Sequence, residues 1–150
     1  MSGTPIPEDE ATRLKALAAL DVLDSEPEQD FDAIVQIAAL VCGVPISLVS
    51  LVDEKRQWFK ANQGLTGVTE TARELAFCAH AILTDAIMEV SDALLDPRFA
   101  DNALVRGGPG IRFYAGAPLR LSDGSKAGTL CVIDRQPRQL NTLQREVLVH

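Results

Sequence analysis

Apolar positions recur at two different periods along this chain, and the switches between them mark its elements. Leu14, Leu17, Ala18, Leu20 and Leu23 fall at helical spacing, so a helix is predicted from Pro7–Glu10 to about residue 23. Proline tolerates the first turn, and the carboxylates that follow it favour the positive end of the helix dipole. Ser25-Glu-Pro-Glu28 matches a capping box and predicts a second helix, with Ile34, Ile37, Ala38 and Val41 on its apolar side and Gly43 ending it. The period then shortens. Ile46 to Val52 is nearly all apolar, rich in Val and Ile, and bounded by Pro45 and Asp53, the pattern of a strand covered on both faces. Asp53-Glu-Lys55 is a turn, and Arg56 to Asn62 a returning antiparallel strand.

Leu75, Ala76, Ala79 and Ile82 predict a short helix within 72–83, and Ile87 to Ser91 a short strand. Residues 92–111, with Pro97, Gly107, Gly108, Pro109 and Gly110, read as loop. Two strands are expected over Phe113–Leu121 and Gly128–Asp134, joined through the hairpin signal Ser122-Asp-Gly-Ser125. Asn141 opens a last helix with Leu143, Val147 and Leu148 on one side. No stop signal precedes His150, so the chain is expected to be cut from a longer protein. The expected division is a tail and linker helix over 1–24, a core over 25–139, and the start of a truncated signalling helix over 140–150.

Length and composition narrow the function classes. A chain of 150 residues is one domain, large enough to fold without disulfide or metal. Its net charge is −7 and no basic face is visible, which argues against nucleic acid and against direct contact with an anionic membrane. Three cysteines, Cys42, Cys78 and Cys131, form no CxxC pair, so reduced thiols and a cytoplasmic setting are expected. No GxSxG elbow, phosphate loop or carboxylate pair is present, and no catalytic residue or metal ligand set is assigned.

Several strings, taken in order, carry a resemblance. They are Leu23-Asp-Ser-Glu-Pro-Glu28, Phe31-Asp-Ala-Ile34, Ile46-Ser-Leu-Val-Ser-Leu-Val-Asp53, Arg56-Gln-Trp-Phe-Lys60, Phe77-Cys-Ala-His-Ala-Ile82, Asp96-Pro-Arg-Phe99, Ile111-Arg-Phe-Tyr-Ala-Gly-Ala-Pro-Leu119 and Gly128-Thr-Leu-Cys-Val-Ile-Asp134. Over residues 10–150 the chain resembles a GAF domain of bacterial signalling proteins, in the branch found in sensor histidine kinases, diguanylate cyclases and phosphodiesterases. The resemblance implies an α+β, PAS-related fold: an antiparallel sheet of five or six strands, helices on one face, and a loop-covered pocket on the other. It also implies a non-catalytic sensory module that binds a small, unidentified ligand, pairs as a homodimer through its terminal helices, and signals to a C-terminal output domain. Two other readings stand beside it, a structural dimerisation unit with a vestigial pocket and a thiol enzyme acting on free methionine sulfoxide.

The residues expected around the pocket are Cys78, His80, Arg112, Tyr114, Phe59 and Asp96. Cys78 and His80 lie about 200° apart on a helix, so they cannot share one metal ion there. Each is either a pocket-wall group or a core residue. Arg112 and Tyr114 share one strand face. Arg112 either grips a carboxylate or phosphate or forms an ion pair with Asp92, Asp96 or Asp101. Trp58 and Phe59 point to opposite faces of their strand. Asp96-Pro-Arg-Phe99 is expected as a lid turn, with Arg98 pairing to Asp96 or Asp101.

Overall fold

In a computed structural model the described residues are 6–65, 67–73, 76–107, 110–121 and 123–149. Leu75, Gly108, Pro109, Ser122 and His150, all used in the sequence reading, lie outside them. The elements run α1 (Glu10–Ala19), α2 (Gln29–Cys42), β1 (Ile46–Val52), β2 (Arg56–Gln63), β3 (Glu70–Ala72), α3 (Cys78–Ala81), β4 (Met88–Val90), α4 (Ala103–Arg106), β5 (Phe113–Arg120), β6 (Lys126–Asp134) and α5 (Thr142–Val149), with a 3₁₀ turn at Ala93–Leu95. The six strands form one sheet in the order β3-β2-β1-β6-β5-β4, and its described pairings are antiparallel.

The central strands β1 and β6 read as continuous apolar runs because both of their faces are covered. On one face, α2 and α5 pack Val35, Ala38, Ala39, Cys42 and Leu148 against Val49, Phe113, Ala115, Leu130 and Val132. On the other, α3, the 3₁₀ turn and α4 cover Leu48, Phe59, Tyr114, Cys131 and Ile133. A bulge in β2 opposite Val49 and Ser50 leaves Lys60 as the extra residue.

Four local expectations are corrected. The first helix stops at Ala19, because Asp21 and Asp24 take positive φ (54° and 62°), which no helix can continue through. The Ser25–Glu28 capping box does not form. Lys60, 3% exposed, takes these groups for itself: its ammonium donates to Ser25 Oγ and to the Glu26 carbonyl (2.7 Å each) and pairs with Glu28. A buried ammonium needs acceptors more than an exposed helix end needs a cap. The third correction concerns the buried stripe of α2, which is Val35, Ala38, Ala39 and Cys42, while Ile34, Ile37 and Leu40 face outward. Fourth, the helix expected over 72–83 is only Cys78–Ala81, since Thr71 and Ala72 are drawn into β3 by pairing with Gln57 and Arg56. The loop expected over 92–111 carries the 3₁₀ turn and α4, each capped by an adjacent side chain, Asp92 or Asn102. Gly43 does end α2, in the left-handed conformation (φ 66°). At α5 a reciprocal cap does form, with Asn141 Oδ1 accepting from Gln144 N and Gln144 Oε1 accepting from Asn141 N (2.8 and 2.9 Å).

Candidate functional site

The loop-covered face is where the resemblance placed a pocket. Its floor is β1, β2, β5 and β6, and its roof is α3, the 3₁₀ turn and the stretch from Phe99 to Arg106. Tyr114 lies flat on this floor. The next residue on the same strand face, Gly116, makes room for the ring: a Cβ there would come within 2.3 Å of the phenol oxygen. The hydroxyl meets Thr129 Oγ1 at 3.2 Å. Phe77 leans on Tyr114 (centroids 5.2 Å apart) and stacks on Phe99 from the roof (4.0 Å, interplanar angle 7°). These three aromatic rings pack against one another on the covered face. Among the described residues, a cavity of about 20 Å³ on this face is lined by Leu48, Gln57, Phe77, Leu104, Ile111, Tyr114, Cys131 and Ile133. Such a volume admits about one water molecule. The loop-covered face expected from the resemblance is present, and around this small cavity the described side chains pack closely.

Beside the cavity runs a buried, uncharged polar row. Gln57 Oε1 accepts from Ser50 Oγ (2.9 Å) and Cys78 Sγ (2.7 Å), and Gln57 Nε2 donates to Thr71 Oγ1 (2.6 Å). The amide is satisfied on both sides, as a buried polar group must be. Sequence reasoning missed Gln57. Its two-residue spacing from Phe59 on β2, which puts both on one strand face, was the available signal.

The six expected site residues separate. Tyr114 and Phe59 belong to the covered face, with Trp58 on the opposite side under α1 beside Leu17 and Leu51. Cys78 is buried there and touches Gln57 and Ser50. Burial pushes its thiol up to about 11, against smaller opposing effects of the Ser50 hydrogen bond and the Arg73 and Arg13 charges. Roughly one such thiol in ten thousand is ionised at pH 7. Burial likewise raises Cys131 and Cys42. Three buried, protonated thiols are poor nucleophiles, which counts against thiol exchange as this domain's chemistry.

His80, Arg112 and Asp96 do not line the cavity. His80 is half-buried with its ring edge-on to Phe99 (4.9 Å), and burial together with the Arg98 charge holds its pKa below the usual imidazole value. Arg112 does neither thing expected of it. Its guanidinium donates to the carbonyls of Val105 (2.8 Å) and Ile111 (3.1 Å), stapling α4 to the start of β5. Backbone N–H groups of Gly107, Gly110 and Ile111 take up the Ala103 and Leu104 carbonyls of this short helix, and the arginine satisfies that of Val105. Asp96 pairs with Arg98 as the lid turn implied, accepting at 2.8 Å from its guanidinium and at 2.9 Å from its backbone N–H. That pairing lowers the carboxyl's pKa. Among the described residues no cluster of His, Cys, Asp or Glu could hold a metal ion, and no helix is long and apolar enough to cross a membrane.

A single antiparallel sheet with longer helices on one face and short helices and loops over the other is an α+β fold of the GAF-like type. The chain belongs to the GAF domain family: the GAF domain model matches residues 26–150. A cyclic di-GMP phosphodiesterase of Pseudomonas aeruginosa is 47% identical over 138 residues, which is 92% of this chain and 23% of that protein. The chain thus spans about a quarter of the length of this relative. Among solved structures, the GAF domain of an Acinetobacter phosphoenolpyruvate-protein phosphotransferase superposes with a TM-score of 0.63 at 21% identity, covering 92% of this chain and 86% of that one. A free methionine-R-sulfoxide reductase from Neisseria meningitidis superposes equally well, with a TM-score of 0.63 at 16% identity, covering 99% and 89%. At such identities both structures speak for the fold alone. A regulatory module of a signalling protein fits the family and the sequence relative together.

Proposed function

We propose that this domain is the non-catalytic sensory module of a longer bacterial signalling protein, reporting the state of its covered face through its terminal helices to an output domain. The observation that carries the reading is the match over residues 26–150 combined with a relative four times longer that is named a phosphodiesterase. Supporting it, the covered face is roofed by elements of three and four residues, which are cheap to open, over a floor of uncharged polar groups. A guest would have to displace part of the Tyr114–Phe77–Phe99 stack. Its effect on signalling could be no larger than its differential affinity for the open and closed states.

The proposed organisation keeps 1–24 as tail and linker helix, 25–139 as sensory core and 140–150 as the start of the outgoing helix, in a cytoplasmic protein. Pairing of two copies, expected of the terminal helices α1 and α5, is here proposed on α2 and α5 instead, where Ile34, Ile37, Leu40, Leu143 and Val149 are exposed. The test is Gln57→Leu in the longer protein. Output activity is expected to lose its response to conditions while the fold is kept. An unchanged response with an intact fold would favour the second reading, a structural pairing unit, for which the small cavity is the specific support.

A further inference from the structure

Outside the covered face, the described residues place two buried arginines on one carboxylate. Arg13 on α1 is 1% exposed and Arg73, just after β3, is 5% exposed. Glu10 serves both. Its Oε1 accepts from Arg13 Nε (2.9 Å) and from Arg73 (3.2 Å), and its Oε2 accepts from Arg13 (3.1 Å) and, closely, from Arg73. Each guanidinium then reaches a strand end. Arg13 donates to the Val52 carbonyl (2.6 Å), and Arg73 donates to the Asp53 carbonyl (3.1 Å). Arg73 Nε is buried with no partner.

Two further observations tie this cluster to the roof. A hydrogen bond from Ala76 N to the Arg73 carbonyl (3.0 Å) joins Arg73 to the residue that precedes Phe77 and Cys78. Val52, whose carbonyl Arg13 holds, packs its side chain against Ala76, Cys78, Ala79 and Ile82. The charges of Arg73 and Arg13 are both felt at the Cys78 thiol. By contrast, α1 itself is lightly anchored, since Arg13 and Leu17 are its only buried residues.

We propose that Glu10 is a positioning residue that latches α1 to the entry of the roof, so that seating of the N-terminal helix and closure of the covered face form one equilibrium. The logic is electrostatic. Without the carboxylate, two desolvated cations face one another, and one of them already lacks a partner at Nε. The least costly relief is for α1 to lift and for Arg73 to turn to solvent, straining its hydrogen bond to Ala76 and loosening Phe77 beside it. In the sensory reading, on which only the purpose of the latch rests, whatever pulls on α1 loosens the roof, and whatever opens the roof frees α1. That gives the domain a second route to its neighbours, on the opposite end from α5.

The experiment uses the 150-residue chain without ligand. Amide exchange is followed over 10–19 and 76–82, and alkylation of Cys78 by N-ethylmaleimide is followed by peptide mapping, in the parent, Glu10→Gln, Phe99→Ala and the double variant. Glu10→Gln is expected to raise exchange in both segments and Cys78 alkylation by about tenfold or more, with β1, β5 and β6 still protected. Phe99→Ala, which loosens the roof from the far side, is expected to raise exchange in α1 in the parent but to add little in the Glu10→Gln background. Loosening of α1 with Cys78 alkylation unchanged would overturn the latch, as would independent, multiplying effects of the two substitutions. If Glu10→Gln does not fold, Glu10→Asp keeps the charge, shortens the reach by one methylene and is read in the same way. Because no ligand or output enters, failure of the sensory reading would leave this result standing, and the converse holds as well.

Discussion

Phe113 and Tyr114 are neighbours on β5, yet they face two differently built interiors. Phe113 is fully buried among aliphatic side chains held by α2 and α5, helices of fourteen and eight residues. Tyr114 faces aromatic rings and an uncharged polar row, under helices of four residues and a three-residue 3₁₀ turn. The first interior is apolar and carried by longer elements packed along the sheet. The second is as well filled, but it is held by pieces too short to be helical alone. Equal burial therefore need not mean equal cooperativity, and the covered face is the one able to open while the sheet stays folded.

The sharpest way to break this comparison is to remove the same side chain from each side. Phe113→Ala is expected to cost about 3–5 kcal/mol of global stability, the usual range for a fully buried phenylalanine. Phe99→Ala, from a residue 1% exposed, is expected to cost less globally, roughly 2 kcal/mol, with the rest appearing as faster exchange confined to residues 93–106. Urea melts give the first quantity and hydrogen exchange the second. Equal global costs with no local loosening would show that both faces unfold as one unit.

The next test titrates the polar row. Burial raises the Cys78 thiol from its usual value near 9 to about 11 in the fold. A group raised on folding favours its protonated form there, so its contribution is complete below about pH 9 and is lost as pH climbs toward 11. Stability is expected to fall over that window in the parent and to fall less in Cys78→Ala. That difference is smaller than the loss of a phenylalanine, and it is checked by urea melts at pH 8, 9.5 and 10.5. Identical pH profiles would mean that Cys78 becomes exposed before it ionises.

The contrast between the faces also explains what the sequence could disclose. The central strands were legible because a β-branched run between turn signals has few alternatives. Ile46–Val52 matches its expected bounds, and β5 and β6 agree with theirs to within two residues. The family was legible for the same reason, since ordered strings along the strands and lid carry it. The site was less so. Arg112 has a side chain able to grip an anion, and nothing in its own neighbourhood reveals that the short helix at 103–106 needs its guanidinium for a stray carbonyl. The Ser25–Glu28 cap failed because its competitor, Lys60, lies over thirty residues away. That Tyr114 lies flat on the floor depends on Gly116 two positions on, a seat visible only once the ring's direction is known. Local chemistry reads well from sequence; competition between distant groups for one acceptor or one void does not.

The mildest prediction concerns the outer surface of the long-helix face. Ile37 is 55% exposed and Leu40 82% exposed, on a helix whose inner stripe already meets the sheet, and Gln144 of α5 reaches across to the Val41 carbonyl beside them. Exposed apolar residues three apart on one helix, next to exposed Leu143 and Val149 on another, gain nothing within a single copy. Leu40→Glu with Ile37→Glu is expected to shift the stability of an isolated copy by no more than about 0.5 kcal/mol per site, as surface substitutions do. If the proposed pairing of copies through α2 and α5 is right, the same change should abolish association in sedimentation velocity, because a two-fold interface repeats the patch on both copies and so buries four new carboxylates. Loss of fold would place these side chains in the interior instead. Unchanged association would move the pairing surface elsewhere on the domain, leaving the long-helix face as core support alone.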